Sequence, residues 1–168
     1  YMTDVNGLNI ATGVAGTLVG AYWFLMLCGR LIAGAIGGKV SSRAMIIAVS
    51  AAGILFLLAG MFLPKSITVN LLNSTVPFAI LFFILCGLCT SVMWGAIFNL
   101  AVEGLGKYTA VASGIFMIMV CGGGIVPFVQ TYFVDAFGYL NSFWLVFGLL
   151  GFILFYALIG SRTKKEKE

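Results

Sequence analysis

Histidine is absent from this 168-residue chain, and only 8% of its residues are charged. The acidic residues are few and lie outside the apolar runs or close to their ends: Asp4, Glu103, Asp135, Glu166 and Glu168. An enzyme needs a base, a nucleophile or a set of metal ligands in one place, and an intramembrane proton relay needs an acid or a histidine at membrane depth. The sequence therefore predicts no enzyme, no metal site and no cofactor, and it places any proton-carrying group outside this chain.

The low charge also excludes a water-soluble domain. Soluble domains carry about 25% charged residues, whereas this chain is 62% hydrophobic and has a mean hydropathy of +1.15. Its long apolar runs occupy residues 12–38, 44–63, 76–100, 109–134 and 141–160. About 20 helical residues, at about 1.5 Å each, cross a hydrocarbon core about 30 Å thick. The sequence thus predicts an all-α polytopic transmembrane helix bundle with five spans in a lipid bilayer.

Basic residues predict the orientation of these spans. If residues 1–11 are external, the connections 38–43 and 101–108 and the tail from Ser161 face the cytoplasm and carry seven of the nine lysines and arginines. This arrangement obeys the positive-inside rule, and the opposite arrangement violates it. We expect residues 161–168 to form a basic cytoplasmic tail. Because four of the nine basic residues lie in that tail, the net positive charge indicates a topology signal and does not indicate a nucleic-acid partner.

The number of spans is odd, and the chain begins at Tyr1 rather than at a methionine. Its first residues are polar, which is typical of an external loop that follows a helix. We therefore expect this chain to be a fragment of a longer protein, with a sixth helix before residue 1.

Arg30 is the costliest residue of the first span. An arginine near the centre of a transmembrane helix costs about 2.5–3.5 kcal/mol on insertion scales, so its charge needs a partner or water. Tyr22, Trp23 and Met26 lie in the preceding turns and can share its face. Two interpretations remain open. Arg30 either faces a cavity, where it binds substrate or an acid from helices outside this chain, or bonds to backbone carbonyls in a structural role.

The third span carries polar or amphipathic residues at Thr90, Ser91, Trp94 and Asn99. Ser91, Trp94 and Phe98 are spaced i, i+3, i+7, which places them on one stripe of a helix. Tryptophan usually lies at the headgroup level, whereas Trp94 lies well inside the run. There its indole can stack on a sugar ring and donate a hydrogen bond. Ordinary helix packing is the alternative interpretation.

The fourth span contains three consecutive glycines followed by a proline, at Gly122, Gly123, Gly124 and Pro127. Glycine lowers helix stability, and proline removes a backbone donor and clashes with the preceding turn. The pattern predicts a kink or a locally unwound segment. Unwound backbone at membrane depth is tolerated where it is buried in protein or lines a water-filled cavity, so we interpret the segment as a hinge. A static kink that only shapes packing is the alternative.

Small residues recur four positions apart in the first span, for example Gly16 with Gly20 and Gly34 with Gly38. In lipid, such rows mark close contacts between helices. We therefore expect the first span to pack on its neighbours through these residues.

Three passages resemble the second half of a major facilitator superfamily transporter, spans eight to twelve. They are Gly29-Arg30 with the glycine-rich loop that runs to Arg43, residues 91–106 (Ser-Val-Met-Trp-Gly-Ala-Ile-Phe-Asn-Leu-Ala-Val-Glu-Gly-Leu-Gly), and Ser113-Gly-Ile-Phe followed by Gly122-Gly-Gly-Ile-Val-Pro127. Within that superfamily the chain is most similar to the fucose and glucose/galactose permease family. Trp94 occupies the position of an aromatic residue that lines the sugar pocket there. It replaces the tyrosine of the fucose permease, and Gly95 replaces the proline that follows.

The resemblance implies a twelve-helix fold in two six-helix halves, a site at the midplane between them, and sugar uptake by proton symport through alternating access. It implies that the missing N-terminal half supplies the proton-carrying carboxylates. We expect a multi-pass protein of a bacterial inner membrane with a cytoplasmic C-terminus. The predicted substrate-binding residues are Tyr22, Met26, Arg30, Ser91, Trp94 and Asn99, and the predicted hinge residues are Gly122, Gly123, Gly124 and Pro127.

Two alternatives to sugar symport remain open at this point. One is a facilitator-type transporter of a non-sugar solute, such as a drug or an organic anion, for which Arg30 supplies a counter-charge. The other is a truncated membrane module that does not transport and only assembles with partner helices.

Overall fold

The computed structural model describes residues 2–4, 8–64, 66–71 and 74–161. Its helices and strands follow one another as α1 (Thr12–Ile36), α2 (Ser42–Phe62), β1 (Thr68–Leu71), β2 (Ser74–Pro77), α3 (Ala79–Val102), α4 (Thr109–Met119), α5 (Gly122–Phe137) and α6 (Tyr139–Phe155). A 3-10 turn at Gly106–Tyr108 leads into α4, and a π-helical turn at Tyr156–Gly160 extends α6. Of the predicted basic tail, residues 162–168 lie outside the described residues.

Among the described residues, five helical segments are long and apolar enough to cross a bilayer. They are α1, α2, α3, the stretch Gly106–Phe137 that contains α4 and α5, and the stretch Tyr139–Gly160 that contains α6. This finding confirms the predicted all-α polytopic bundle with five spans. The fourth segment is a single apolar span made of two helices, α4 and α5, with a break between them.

A short β-hairpin takes the place of the expected helical start of the third span. Strand β1 pairs antiparallel with β2, with Val69 opposite Val76 and Thr68 opposite Pro77. Threonine and valine favour strands, and the residue before a proline is biased away from the helical region. Helix α3 therefore begins at Ala79 rather than at residue 76.

Helix α3 lies at the centre of the bundle. It packs against α1, α2 and α4, while α6 packs against α2 and α5. Its buried positions are often small or polar, among them Gly87, Cys89, Ser91 and Ala96. Helices α4 and α5 have no buried residue, and α1 has few. Exposed apolar side chains on a transmembrane helix suit contact with lipid or with further helices.

Two glycines bring the backbones of α1 and α3 into direct contact. A Cβ atom built at Gly29 would overlap Ser91 Oγ and lie 2.9 Å from Leu88 O. A Cβ atom built at Gly87 would lie 2.8 Å from Tyr22 Cδ2 and 2.9 Å from Tyr22 O. Each helix thus presents a glycine to the other, and the approach requires both.

The small-residue rows predicted to mark helix contacts face open space instead. Cβ atoms built at Gly16, Gly20, Gly34 and Gly38 meet nothing within 4 Å in the described part of the chain. In the described part of the chain, the main contact of α1 is with α3, and the face that carries Gly29 makes it. Within the described chain, Gly29 therefore makes the close helix contact and these rows make none, so their packing on other helices stays a prediction.

The core between α2, α3 and α6 consists of two layers of buried side chains. One layer is formed by Ile46, Ala96 and Ala157, and the other by Leu57, Met93 and Leu150. Each layer takes one residue from each helical segment. Alanines in the first layer let the three segments approach closely, as small residues do between helices in lipid.

Arg43 joins the start of α2 to the end of the last span. Its Nε donates to Ala157 O at 2.7 Å, and its Nη2 donates to Leu158 O at 2.6 Å. The final carbonyls of a helix have no partner within the helix and carry partial negative charge, so a guanidinium satisfies both requirements. Ser161 also donates through Oγ to Ala157 O at 2.9 Å. The π-helical turn thus ends on side-chain donors.

The contact between α1 and α3 generates a test of stability. We expect Gly29→Ala to lower the free energy of unfolding by about 1–3 kcal/mol, because the added methyl group overpacks the contact with Ser91 and Leu88. Gly34→Ala lies in the same helix, where a Cβ meets nothing within 4 Å, and serves as the matched control. Thermal unfolding of both variants, purified in detergent, measures the difference. Equal midpoints for the two variants would contradict this account of the contact.

Candidate functional site

Arg30 lies on the exposed side of α1. Its neighbour Gly29 faces α3, and successive residues of a helix turn by about 100°, so Arg30 points away from that contact. The exposed side chains Leu27 and Leu31 flank it. Among the described residues, no hydrogen bond or ion pair involves its guanidinium. The described part of the chain therefore offers Arg30 no backbone carbonyl as a partner, and its interpretation as a residue that faces a cavity stays a prediction.

The predicted polar stripe of the third span is divided between two neighbours. Ser91 is buried against Gly29 of α1, and its Oγ donates to Leu88 O at 2.8 Å. Trp94 is 43% exposed and lies on the side that faces α4. Positions three apart on a helix differ by roughly 60° around the axis, and that is enough to separate their neighbours. Asn99 is exposed.

Trp94, Phe98 and Phe116 form an aromatic cluster between α3 and α4. The ring centroids of Trp94 and Phe116 lie 5.4 Å apart, and those of Phe98 and Phe116 lie 5.3 Å apart, both in edge-to-face arrangements. This geometry is the favourable one for aromatic pairs. It orients the indole of Trp94 while leaving much of its surface accessible.

A groove of about 680 Å³ lies between α1, α2, α3 and α6. Most of its wall is apolar, including Leu18, Leu57, Ile84, Met93, Phe143 and Leu150. Its volume falls within the range of about 300–1,000 Å³ that is usual for small-molecule sites. Of the predicted substrate-binding residues, the groove lining includes Tyr22 and not Met26, Arg30, Ser91, Trp94 or Asn99. Met26 is half-buried on α1.

Tyr22 and Thr90 supply hydroxyl groups to the wall of the groove. Tyr22 Oη lies 3.3 Å from Thr90 Oγ1, so the two side chains are joined across α1 and α3. The Tyr22 ring packs against Gly87, where a side chain would collide with it. The rings of Phe83 and Phe143 stack at 4.8 Å on the wall formed by α3 and α6.

Thr90 was not among the predicted site residues, although a signal for it exists in the sequence. Cys86, Cys89, Thr90 and Met93 follow the spacing i, i+3, i+4, i+7 of one helix face. All of them line the groove. Three of them are small or polar in a run of larger apolar side chains, which marks a face that does not contact lipid.

The segment before α1 lies at one end of the groove. Met2 and Thr3 line the groove, and Ile10 N donates to Met2 O at 2.8 Å. The hydroxyl of Tyr139, at the start of α6, donates to Asp4 Oδ2 at 2.7 Å. This hydrogen bond joins the segment to α6 and thus connects two walls of the groove.

The fourth span is interrupted immediately before the predicted hinge. Helix α4 ends at Met119 and α5 begins at Gly122. Around this interruption the backbone N–H groups donate to the carbonyl three residues back rather than four. Examples are Cys121 N to Ile118 O at 3.2 Å and Gly124 N to Cys121 O at 2.9 Å. Pro127 lies inside α5. The break thus lies just before the predicted residues, which themselves belong to α5, and whether the segment moves stays a prediction.

Comparisons with known proteins point in one direction. The family model described as the Major Facilitator Superfamily matches residues 2–168. Proteins named "Glucose/galactose transporter" from Brucella abortus biovar 1 (strain 9-941) and Brucella abortus (strain 2308) are each 42% identical to the chain over 77 residues. The matched segment covers 46% of this chain and 19% of each relative. No solved structure gives a significant match.

Proposed function

The chain belongs to the Major Facilitator Superfamily, and on that premise we propose that it forms part of a transporter that carries a sugar across the membrane. Membership places it among transporters and not among enzymes. The similarity to relatives named glucose/galactose transporter supports a sugar as the solute. Because the matched segment is a minor part of those relatives, the substrate is inferred from the chemistry of this chain as well.

The observation that carries the proposal is the pair of hydroxyls inside a groove at membrane depth. A sugar presents hydroxyl groups together with apolar C–H faces, so its site needs polar partners set in an apolar and aromatic wall. Tyr22 and Thr90 supply the polar partners, and Phe83 and Phe143 supply aromatic surface. In these apolar surroundings, hydroxyls in the groove wall offer hydrogen-bond partners to a polar ligand, which would otherwise lose free energy on leaving water.

Trp94 contributes a second aromatic surface in this proposal. Its indole is oriented by Phe116 and remains accessible. The face of α3 that carries Trp94 and Asn99 and the face of α1 that carries Arg30 are exposed in the described chain. We place the other half of the transporter against these faces. Met26, Arg30, Ser91 and Asn99 then lie at or behind a site formed between the halves.

Proton symport is part of the proposal, with the proton-carrying groups outside this chain. The acidic residues that the structure describes are Asp4, Glu103 and Asp135, and none of them lies in the middle of a span. The coupling carboxylates therefore belong to the remainder of the transporter. This division agrees with alternating access, in which one half moves against the other around a shared site.

The orientation follows from the basic residues at the helix ends. Lys39 and Arg43 lie between α1 and α2 or at the start of α2, and Lys107 lies between α3 and α4. These connections are at the same side of the membrane, which the positive-inside rule assigns to the cytoplasm. We propose a cytoplasmic C-terminus and, since the relatives come from Brucella, a bacterial inner membrane.

An organic anion is the second candidate solute, and Arg30 favours it. The guanidinium lies within a span without a described partner. A carboxylate or phosphate on a solute would satisfy it with paired hydrogen bonds.

Uptake of labelled fucose, glucose and galactose tests the proposal. The protein is expressed from its complete coding region, and uptake into cells is measured with and without a protonophore. We expect saturable uptake of at least one sugar and its loss when the proton gradient collapses, because the gradient drives symport. Uptake that survives the protonophore would contradict proton coupling. Absence of uptake of all three sugars, with the protein present in the membrane, would contradict a sugar substrate and favour the organic anion.

Replacement of Trp94 tests its role in the site. We expect Trp94→Ala to raise the KM for uptake about tenfold, because loss of aromatic stacking costs about 1–1.5 kcal/mol. Trp94→Phe retains a ring and should lose much less. Phe152→Ala removes another exposed aromatic side chain of the membrane region, in α6 and away from the groove, and serves as the control. An unchanged KM for Trp94→Ala at normal expression would remove Trp94 from the site.

Alanine substitution of the glycine triplet tests the hinge. Cβ atoms at Gly122, Gly123 and Gly124 meet nothing within 4 Å, so alanine fits there without collision. Each substitution favours a continuous helix by about 1 kcal/mol. We expect the triple variant to keep its KM and to lose no thermal stability while its maximal transport rate falls at least about fivefold. Gly148→Ala in α6, which is equally free of contacts, is the control. An undiminished rate would favour the static kink.

A further inference from the structure

The hydrogen bond between the two hydroxyls in the groove has a defined direction. We propose that Tyr22 presents its phenol oxygen to the groove as a hydrogen-bond acceptor, which selects a solute that donates a hydroxyl proton there. In this proposal Thr90 is the positioning residue that fixes the direction of the bond. The inference rests on the proposed sugar transport and deepens it. It assigns one hydrogen bond between the site and the solute, and it says which of the two is the donor.

The proton of Thr90 is committed to the backbone of its own helix. Thr90 Oγ1 lies 3.1 Å from Cys86 O and 3.1 Å from Gly87 O. Carbonyl oxygens only accept hydrogen bonds, and a threonine hydroxyl has a single proton. The bond to these carbonyls therefore uses that proton. What Thr90 offers to Tyr22 is a lone pair.

It follows that Tyr22 is the donor in the bond between the two hydroxyls. The oxygens lie 3.3 Å apart, and the Tyr22 hydroxyl also has a single proton. Once that proton points at Thr90, the phenol oxygen retains only acceptor capacity. In the described chain this oxygen has no other hydrogen-bond partner.

The position of the Tyr22 ring is fixed as firmly as its proton. The ring lies against the backbone of Gly87, so that a Cβ there would approach Cδ2 to 2.8 Å and Cε2 to 2.9 Å. The ring of Trp23 meets it edge-to-face, with the two ring centroids 5.9 Å apart. Gly87 and Thr90 are one helical turn apart on α3, and together they hold the ring and the hydroxyl. The acceptor thus has one place in the groove wall.

An acceptor in an apolar wall discriminates among solutes. A sugar hydroxyl donates to it, whereas a deoxy position leaves it without a partner and a fluorine brings another electronegative atom against it. Sites built to hydrogen-bond a hydroxyl reject analogues that lack it, because the polar group of the protein is left unpaired. One sugar hydroxyl should therefore be required as a donor.

The test uses monodeoxy and monofluoro derivatives of glucose or galactose as competitors, with two readouts. The first is inhibition of labelled sugar uptake by the complete protein. The second is protection of Cys86, which lines the groove and is half-buried, from a maleimide in the purified protein after Cys28→Ser, Cys89→Ser and Cys121→Ser replacement. The second readout does not depend on transport.

In the wild-type protein we expect one position at which the deoxy and fluoro derivatives both bind at least about tenfold more weakly than the parent sugar. In Tyr22→Phe this discrimination should disappear. In Thr90→Val the proton of Tyr22 loses its acceptor and turns to the groove, so the fluoro derivative should bind better than the deoxy derivative at that position. Thr90→Ser keeps the hydroxyl and should restore the wild-type order.

Thr131→Val is the matched control. Thr131 makes the same bond to its own helix, from Oγ1 to Pro127 O at 3.0 Å, but lies on α5 outside the groove lining. It should leave the order of the analogues unchanged. Melting curves establish that each variant is folded before its analogue order is compared.

The outcomes separate this inference from the proposed function. Discrimination that survives in Tyr22→Phe overturns the assignment of the acceptor, even if sugar uptake is normal. An unchanged order in Thr90→Val overturns the role of Thr90. Lack of sugar uptake overturns the proposed function. The protection assay then tests by itself whether Tyr22 acts as a hydrogen-bond acceptor in the groove. Absence of protection by any of the sugars overturns the inference.

Discussion

The close approach of α1 and α3 at Gly29 and Gly87 determines much of the arrangement around it. With no side chain at either position, the backbones touch, Ser91 is buried, and Tyr22 lies flat against α3. In lipid this contact cannot rely on the hydrophobic effect, because lipid is as apolar as the helix surface, so it depends on fit. The same fit builds one wall of the groove and orients its hydroxyls. Packing and recognition therefore share the same few atoms.

The fourth span differs from the other four in how it is held. Helix α4 packs on α3 and α5 packs on α6, and the backbone is interrupted between them, after Met119 and before Gly122. One apolar span thus packs against two different helices, first α3 and then α6. The glycine triplet that follows the interruption lies in open space in the described chain, and glycine weakens a helix relative to alanine.

The number and type of the spans could be predicted because hydropathy and length are properties of a single segment, and the family match confirms the resemblance inferred from the sequence. What could not be predicted depends on pairs of segments. Periodicity placed Ser91 and Trp94 on one stripe, but different helices contact them. Likewise, Gly29 and not Gly34 contacts α3, since the register between two helices is not encoded in either alone. The hairpin was missed because Val76 and Pro77 are apolar.

The bond from Arg43 to the end of the last span has a consequence for how the bundle is held together. Its guanidinium donates hydrogen bonds to two carbonyls in the turn that follows α6, and Ile46 of α2 packs with Ala157 of that turn in one core layer. At that membrane surface, side-chain bonds therefore join the start of α2 directly to the end of the last span. In the described part of the chain, α4 is held to α3 by aromatic contacts instead. The bundle thus combines a pair of helices joined by charged hydrogen bonds with an interrupted span held by ring packing.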